Sequence, residues 1–282
     1  MQENHKYNIY MFIATIFFGM TYVLTKICLN YSTELHIISF RFSIAFIISL
    51  IFLYKNIFPI KIKELLYSFI LGMILFLVFI AMTIGVKYTT ATNASFLISL
   101  SVIFIPFFSW IFNKEKLKKN IFVVIFIALI GIILLTLDKN LQFHIGDILC
   151  LICVILFTFH VILTERIVKN NNPVALSVLQ FAWVSLFSFL LQYPIENFVI
   201  PKNKIFWLSM VLLGVFCTTF GYIVQTIAQK NLSSTVVGFI LSLEPVFSGI
   251  FGYFFLNEYL SFQQYIGAFL LLASVIYVSV KN

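Results

Sequence analysis

Apolar runs of about twenty residues, the length that spans a bilayer core as a helix, recur along the whole chain and leave only short polar breaks between them. Inside hydrocarbon every backbone N–H and C=O must find a partner within the protein, which leaves helices and closed barrels as the spanning structures. A barrel needs short strands that alternate apolar and polar side chains. These runs do not alternate, so helices are expected throughout. Only 10% of the 282 residues are charged and 62% are hydrophobic, whereas a soluble chain is about one quarter charged. The chain has too little polar surface to cover itself in water, so membrane lipid is its expected surrounding. A net charge of +8 would suggest a nucleic-acid partner in a soluble protein. Here the basic residues sit mainly in short loops, where they set topology, and no nucleic acid is expected.

The spans fall at about 7–29, 36–54, 65–86, 89–112 and 121–137, then 147–168, 174–193, 205–229, 233–256 and 262–280. Residues 230–280, shifted back by 143 positions, align without a gap on 87–137. The matched pairs include Lys87/Lys230, Thr92/Thr235, Phe96/Phe239, Ser99/Ser242, Leu100/Leu243 and Glu115/Glu258. An offset of 139 sets Val23-Leu24-Thr25-Lys26 against Ile162-Leu163-Thr164-Glu165, and Arg41-Phe42 against Gln180-Phe181. Leu71-Gly72 matches Leu213-Gly214 at an offset between these. The chain therefore divides into five-helix repeats at 7–137 and 146–280. Five is odd, so the second repeat enters the membrane from the opposite side. The expected fold is an all-α polytopic membrane protein of ten transmembrane helices in two inverted five-helix repeats, an arrangement common among secondary transporters.

Polar groups within the spans need a partner or a water-filled cavity. Thr218, Tyr222, Gln225 and Gln229 share a face of the eighth span, and Cys153, Phe157, His160 and Thr164 share one of the sixth. The first span carries Tyr22 and the fourth Asn93. Tyr22, Asn93, His160, Tyr222 and Gln225 are the candidate substrate-binding set, with aromatic faces and neutral hydrogen-bonding groups. A carboxyl in mid-membrane is costly unless it is neutral or paired, so Glu244 is the candidate for coupling a proton to solute movement. Pro106 and Pro245 are expected to bend the fourth and ninth spans. Arg41 and Lys26 are expected near the membrane edge, where long side chains snorkel. Glu115 and Glu258, at helix junctions, are expected to tie loops or cap helices.

The four cysteines, including Cys150-x-x-Cys153, lie in or at the ends of apolar runs and read as small packing residues, not as metal ligands. No catalytic constellation, metal site or cofactor site emerges. The chain has no Gly-rich phosphate loop and no sign of an ATPase subunit as partner.

Ser242-Leu243-Glu244-Pro245 in the ninth span, Asn257-Glu258-Tyr259-Leu260-Ser261 after it and Gln264-Tyr265-Ile266-Gly267-Ala268 in the tenth carry a family likeness. With them the chain resembles the EamA-type ten-helix permeases of the drug/metabolite transporter superfamily, over about 9–280. The turn Asn113-Lys114-Glu115-Lys116-Leu117 fits the same pattern in the first half. Ser101-Val102 stands where the second half has Glu244-Pro245, so the halves are unequal. Arg41 resembles the arginine common early in the family's second helix. The resemblance implies export or uptake of a small metabolite and says almost nothing of which one. The expected function is secondary transport of a small organic molecule, such as an amino acid or related compound, by alternating access. A channel or a non-transporting membrane scaffold is the competing reading, and an enzyme is not expected. Whether the protein works as a monomer or a homodimer is left open.

Orientation follows from charge. With the N-terminus in the cytoplasm, the inner segments hold 12 basic residues and the outer loops 4. By that bias both termini are expected in the cytoplasm, on the inner side of the cell membrane. Reporter fusions after residues 35, 60, 87, 117, 142, 171, 200, 230 and 258 should alternate between outside and inside, starting outside. A fusion after residue 117 found outside would overturn the orientation.

Overall fold

A computed structural model of the chain describes residues 2–113, 119–136, 145–195, 200–259 and 261–281. Glu115 with its loop, and the link from 138 to 144, lie outside the described residues. The first half holds α1 (Gln2–Leu29), α2 (Glu34–Ile57), α3 (Ile62–Tyr88), the pair α4 (Ala91–Ile98) and α5 (Ser101–Asn113), and α6 (Lys119–Thr136). The second holds α7 (Ile145–Val168) and α8 (Pro173–Ile195). Its eighth path runs through α9 (Lys204–Leu212), a π-helical segment (Leu213–Phe220) and α10 (Gly221–Asn231). The ninth is α11 (Ser234–Leu241) and α12 (Glu244–Leu256), and the tenth is α13 (Phe262–Lys281). Among the described residues, 8 of these ten paths are long and apolar enough to cross a bilayer. The fifth and tenth contribute shorter apolar stretches, Phe122–Gly131 and Phe262–Ser274. Phe52, Leu190 and Phe254 stand exposed on the outside of the bundle, where hydrocarbon and not water is the solvent.

The packing is symmetric under exchange of the halves. The third path packs on the sixth (α3 on α7), and its counterpart, the eighth, packs on the first (α10 and the π segment on α1). The fourth meets the sixth (α5 on α7), as the ninth meets the first (α12 on α1). Counterparts also meet directly, α2 on α8 and α6 on α13. Each repeat thus completes its core with helices of the other, and the two halves interlock.

The fourth and ninth paths are broken at matching places. Leu100 N–H donates to Leu97 O at 3.1 Å and Ile103 N–H to Leu100 O at 2.9 Å. In the second half Leu243 N–H donates to Ile240 O at 3.1 Å and Val246 N–H to Leu243 O at 3.0 Å. These are the same two i→i−3 bonds at an offset of 143, a tightened turn that keeps the backbone satisfied across the break. The two prolines stand differently to these breaks. Pro245 does sit at the break, in the first turn of α12, where its missing N–H costs nothing. Pro106 lies inside α5, beyond the break at Ser99–Leu100. Val102, the counterpart of Pro245, keeps its N–H bond to Ser99 O at 3.0 Å, so the turn forms without a proline.

Close crossings depend on glycine. A Cβ on Gly146 of α7 would lie 2.8 Å from Gly85 O and 2.9 Å from Tyr88 C, both backbone atoms of α3. Neither helix can yield without losing contact along its length. Gly146→Ala should therefore lower stability by about 1–3 kcal/mol, the usual cost of overpacking, read as a lower melting temperature in detergent. An unchanged melting temperature would show that the α3–α7 crossing is looser than described.

Candidate functional site

The break before α12 places Glu244 at the first residue of a helix, with its side chain turned toward α1. Tyr22 Oη donates to Glu244 Oε2 at 2.7 Å, and both residues are buried. Among the described residues no cation lies within ion-pairing distance of this carboxyl. The groups around it line one cavity. Tyr22, Phe18 and Thr21 come from α1, Arg41 from α2, and Val78, Phe79 and Met82 from α3. Ile98 closes it from α4, Cys153 and Phe157 from α7, and Tyr222 from α10. Tyr222 meets Phe18 edge-on with ring centroids 5.2 Å apart, so the aromatic walls are braced by each other.

Arg41 departs from expectation. It does not reach out from the bundle; it is 1% exposed. Arg41 Nε donates to Thr218 Oγ1 at 2.6 Å and Nη2 to Thr21 Oγ1 at 3.4 Å. Its guanidinium lies 4.5 Å from the centre of the Phe79 ring. Counting from Glu34, it sits about 10 Å along α2 at the ordinary helical rise, close enough to a helix end for a snorkelling reading. The fold covers that side of α2 with α8 and the π segment, so the charge turns inward. The π segment has its own part in this. Thr218 Oγ1 donates to Leu213 O, five residues back, at 2.8 Å, which orients its oxygen to accept from Arg41.

The other members of the expected set find different partners. His160 Nε2 pairs with Gln180 Oε1 at 2.8 Å, behind the cavity wall. Gln225 Nε2 reaches Gln229 Oε1 at 3.5 Å, and Gln229 Nε2 donates to Val161 O at 2.7 Å, tying α10 to α7. Asn93 Nδ2 donates to Thr89 Oγ1 and to Asp147 Oδ1, both at 2.9 Å, tying α4 to α7. None of the three lines the cavity. Of the expected substrate-binding residues the structure brings together Tyr22 and Tyr222, with Glu244 beside them. Sequence reasoning did not place Arg41, Phe79 or Thr21 there.

Polar ties hold both ends of the bundle. At one end Glu258 Oε1 accepts from Ala91 N–H at 3.3 Å and Oε2 from Thr92 N–H at 3.2 Å. The Thr92 hydroxyl donates to the same carboxylate. A negative charge there satisfies free N–H groups and opposes the helix dipole of α4. Lys26 Nζ donates to Val86 O at 2.8 Å and Thr89 O at 2.6 Å, capping the carbonyl end of α3. At the other end Glu165 Oε2 accepts from Ser234 N–H at 2.9 Å and from its hydroxyl at 2.5 Å. Ser234 begins α11, the counterpart of α4.

A family model described as "EamA-like transporter family" matches residues 5–137 and 144–280. An uncharacterized transporter of Archaeoglobus fulgidus is 31% identical over 95% of this chain and 84% of its own length. The uncharacterized transporter YyaM of Bacillus subtilis is 25% identical over 96% of this chain and 93% of its own. A solved crystal structure superposes with a TM-score of 0.78 over 98% of each chain at 16% identity, a likeness of fold alone.

Glu258→Ala frees two backbone donors and a hydroxyl at the start of α4. It should lower stability by about 1–2 kcal/mol, while Thr92→Val, which removes one of the three bonds, should cost less. Thermal unfolding of the purified variants checks the order. Equal melting temperatures for Glu258→Ala and the parent would show that the cap carries no energy.

Proposed function

The chain belongs to the EamA-like transporter family of the drug/metabolite transporter superfamily, and from that premise we propose that it moves a small organic metabolite across the cell membrane by alternating access. Both termini face the cytoplasm in this reading, on the charge split above. Repeats 7–137 and 146–280 serve as the two inverted halves. The observation that carries the reading is the buried Tyr22–Glu244 pair at a helix break, beside a cavity walled by helices of both halves. A broken helix at the interface of inverted repeats is where transporters of this architecture hold their solutes. The ties at the two ends supply the parts that would open in turn. At one end Glu258 holds the start of α4, and at the other Glu165 holds the start of α11. Rocking one set of helices against the other breaks one tie while the opposite tie stays made.

The walls of the cavity suit a solute with an apolar body and polar ends, such as an amino acid or a related compound. Glu244 is the coupling group. A buried carboxyl with no cation beside it holds a proton or meets a cation brought by the solute. It can release that proton once a conformational change opens it to water. Tyr22 then keeps the carboxyl in place in either state, through the hydroxyl it donates.

Saturable uptake into proteoliposomes, with counterflow of the same solute, is expected; flux that rises linearly without saturation would indicate a channel. Glu244→Gln keeps the shape and the hydrogen bond but cannot exchange a proton. It should lose uptake driven by a pH gradient by about tenfold or more and retain solute-for-solute exchange. Full gradient-driven uptake by Glu244→Gln at parental protein level would make Glu244 a structural residue.

A further inference from the structure

Arg41 is a guanidinium enclosed in the protein and facing the same cavity as Glu244. It has five N–H donors in a fixed fork. Its hydrogen bonds go to two neutral hydroxyls, those of Thr218 and Thr21. The Phe79 face on one side is attractive but uncharged. Among the described residues no carboxylate comes within ion-pairing distance of it. A buried cation left without an anion is among the most costly arrangements a fold can contain. Had Arg41 only to hold helices together, a neutral side chain of the same reach would do so without that cost. Its counterpart in the second half shows as much. Gln180 occupies the equivalent place on α8 and bonds His160 on α7, just as Arg41 on α2 bonds Thr21 on α1.

The position of the charge is also defined. Thr21 accepts from Arg41 and the next residue, Tyr22, donates to Glu244. Neighbouring residues of one helix therefore anchor both the guanidinium and the carboxyl. The two groups face one cavity and make no ion pair with each other. Phe18, Phe79, Phe157 and Tyr222 line the same cavity.

We propose that Arg41 is a substrate-binding residue of the transport site and binds a carboxylate of the solute, which supplies the anion the protein lacks. Glu244 then receives the basic end of the same molecule, and the aromatic walls receive its apolar part. The substrate class is a small molecule with one carboxylate and one amine on an apolar body. The guanidinium fork suits a planar carboxylate bidentately, which a lysine ammonium does not. The proposal rests on the carrier reading and narrows it.

The test uses the full chain in lipid nanodiscs and six probes. Phenylalanine and leucine carry both charged ends. Their primary amides lack the carboxylate, and 3-phenylpropionate and 4-methylpentanoate lack the amine. Binding of the amino acids, read by thermal shift and calorimetry, should be about 10- to 100-fold tighter than that of either trimmed form, because a trimmed form leaves a buried charge unpaired. Arg41→Gln should erase the preference for acid over amide and leave the preference for amine over no amine. Glu244→Gln should do the reverse. If Arg41→Gln does not fold, Arg41→Lys should fold and keep a weakened preference for acid over amide. Amides binding as tightly as the amino acids, or no probe binding at millimolar concentration, would overturn the proposal. In that event proteoliposomes exchanging any solute of a whole-cell metabolite extract would show that the carrier reading survives without it. Failure of all exchange would remove both.

Discussion

A helix that crosses hydrocarbon in two pieces has to satisfy its own backbone at the join, because no water is there to do it. The whole arrangement around the cavity depends on how the fourth and ninth paths meet that demand. Each uses the same pair of i→i−3 hydrogen bonds at equivalent residues, Leu97–Leu100–Ile103 and Ile240–Leu243–Val246. The turn tightens and the helix resumes. What the break provides is a helix start in the middle of the protein. In the second half that start carries Glu244 and Pro245, and the carboxyl is thereby placed against Tyr22 of the other repeat. Gly19 lets this happen. A Cβ there would come within 2.8 Å of Glu244 O and 2.9 Å of Ser248 N, so α1 could not approach the break if it carried a larger residue.

Much of this was legible in the sequence, for a physical reason. Span length and span number follow from bilayer thickness and the need to bury backbone polarity, and an odd number of spans per repeat forces inversion. Tyr22, Tyr222 and Glu244 stood out as polar groups in apolar runs. Asn93, His160 and Gln225 stood out by the same signal, yet their partners are Asp147, Gln180 and Gln229. A polar side chain that bonds its own or a neighbouring helix looks, in one sequence, the same as one that faces a cavity. Arg41 failed in the opposite direction. Its place near a helix end suits snorkelling, and only the packing of α8 and the π segment against α2 shows that it has nowhere to snorkel. The break of the fourth path left no such mark, because it lies ahead of Pro106 in a turn made from Ser99 and Leu100, residues without a breaker's signature.

The repeat is preserved as geometry and spent as chemistry. At the end of α1, Lys26 caps the carbonyls that lead into α4; at the equivalent place in α7, Glu165 caps the N–H groups that open α11. The positions correspond at an offset of 139 and the contacts fall on corresponding junctions. The charge is reversed, because one residue meets a carbonyl end and the other an amide end. Helix ends offer opposite partial charges, so the same scaffold position accepts either sign provided its partner changes with it.

The same reasoning applies at the cavity, with a different outcome. Thr21 and Arg41 in the first half correspond to His160 and Gln180 in the second, and each pair is hydrogen-bonded across the same two helices. Ser101 and Val102 correspond to Glu244 and Pro245. The first repeat carries Arg41 where the second has Gln180, and the second carries Glu244 where the first has Ser101. Had both repeats carried both groups, the cavity would hold two of each. Because each group is unique to its half, Arg41 lines the cavity from one repeat and Glu244 from the other. Any motion that shifts one half against the other would change the distance between the two groups. In the carrier reading proposed above, rocking of the repeats and the grip on a two-ended solute are for that reason a single mechanical variable.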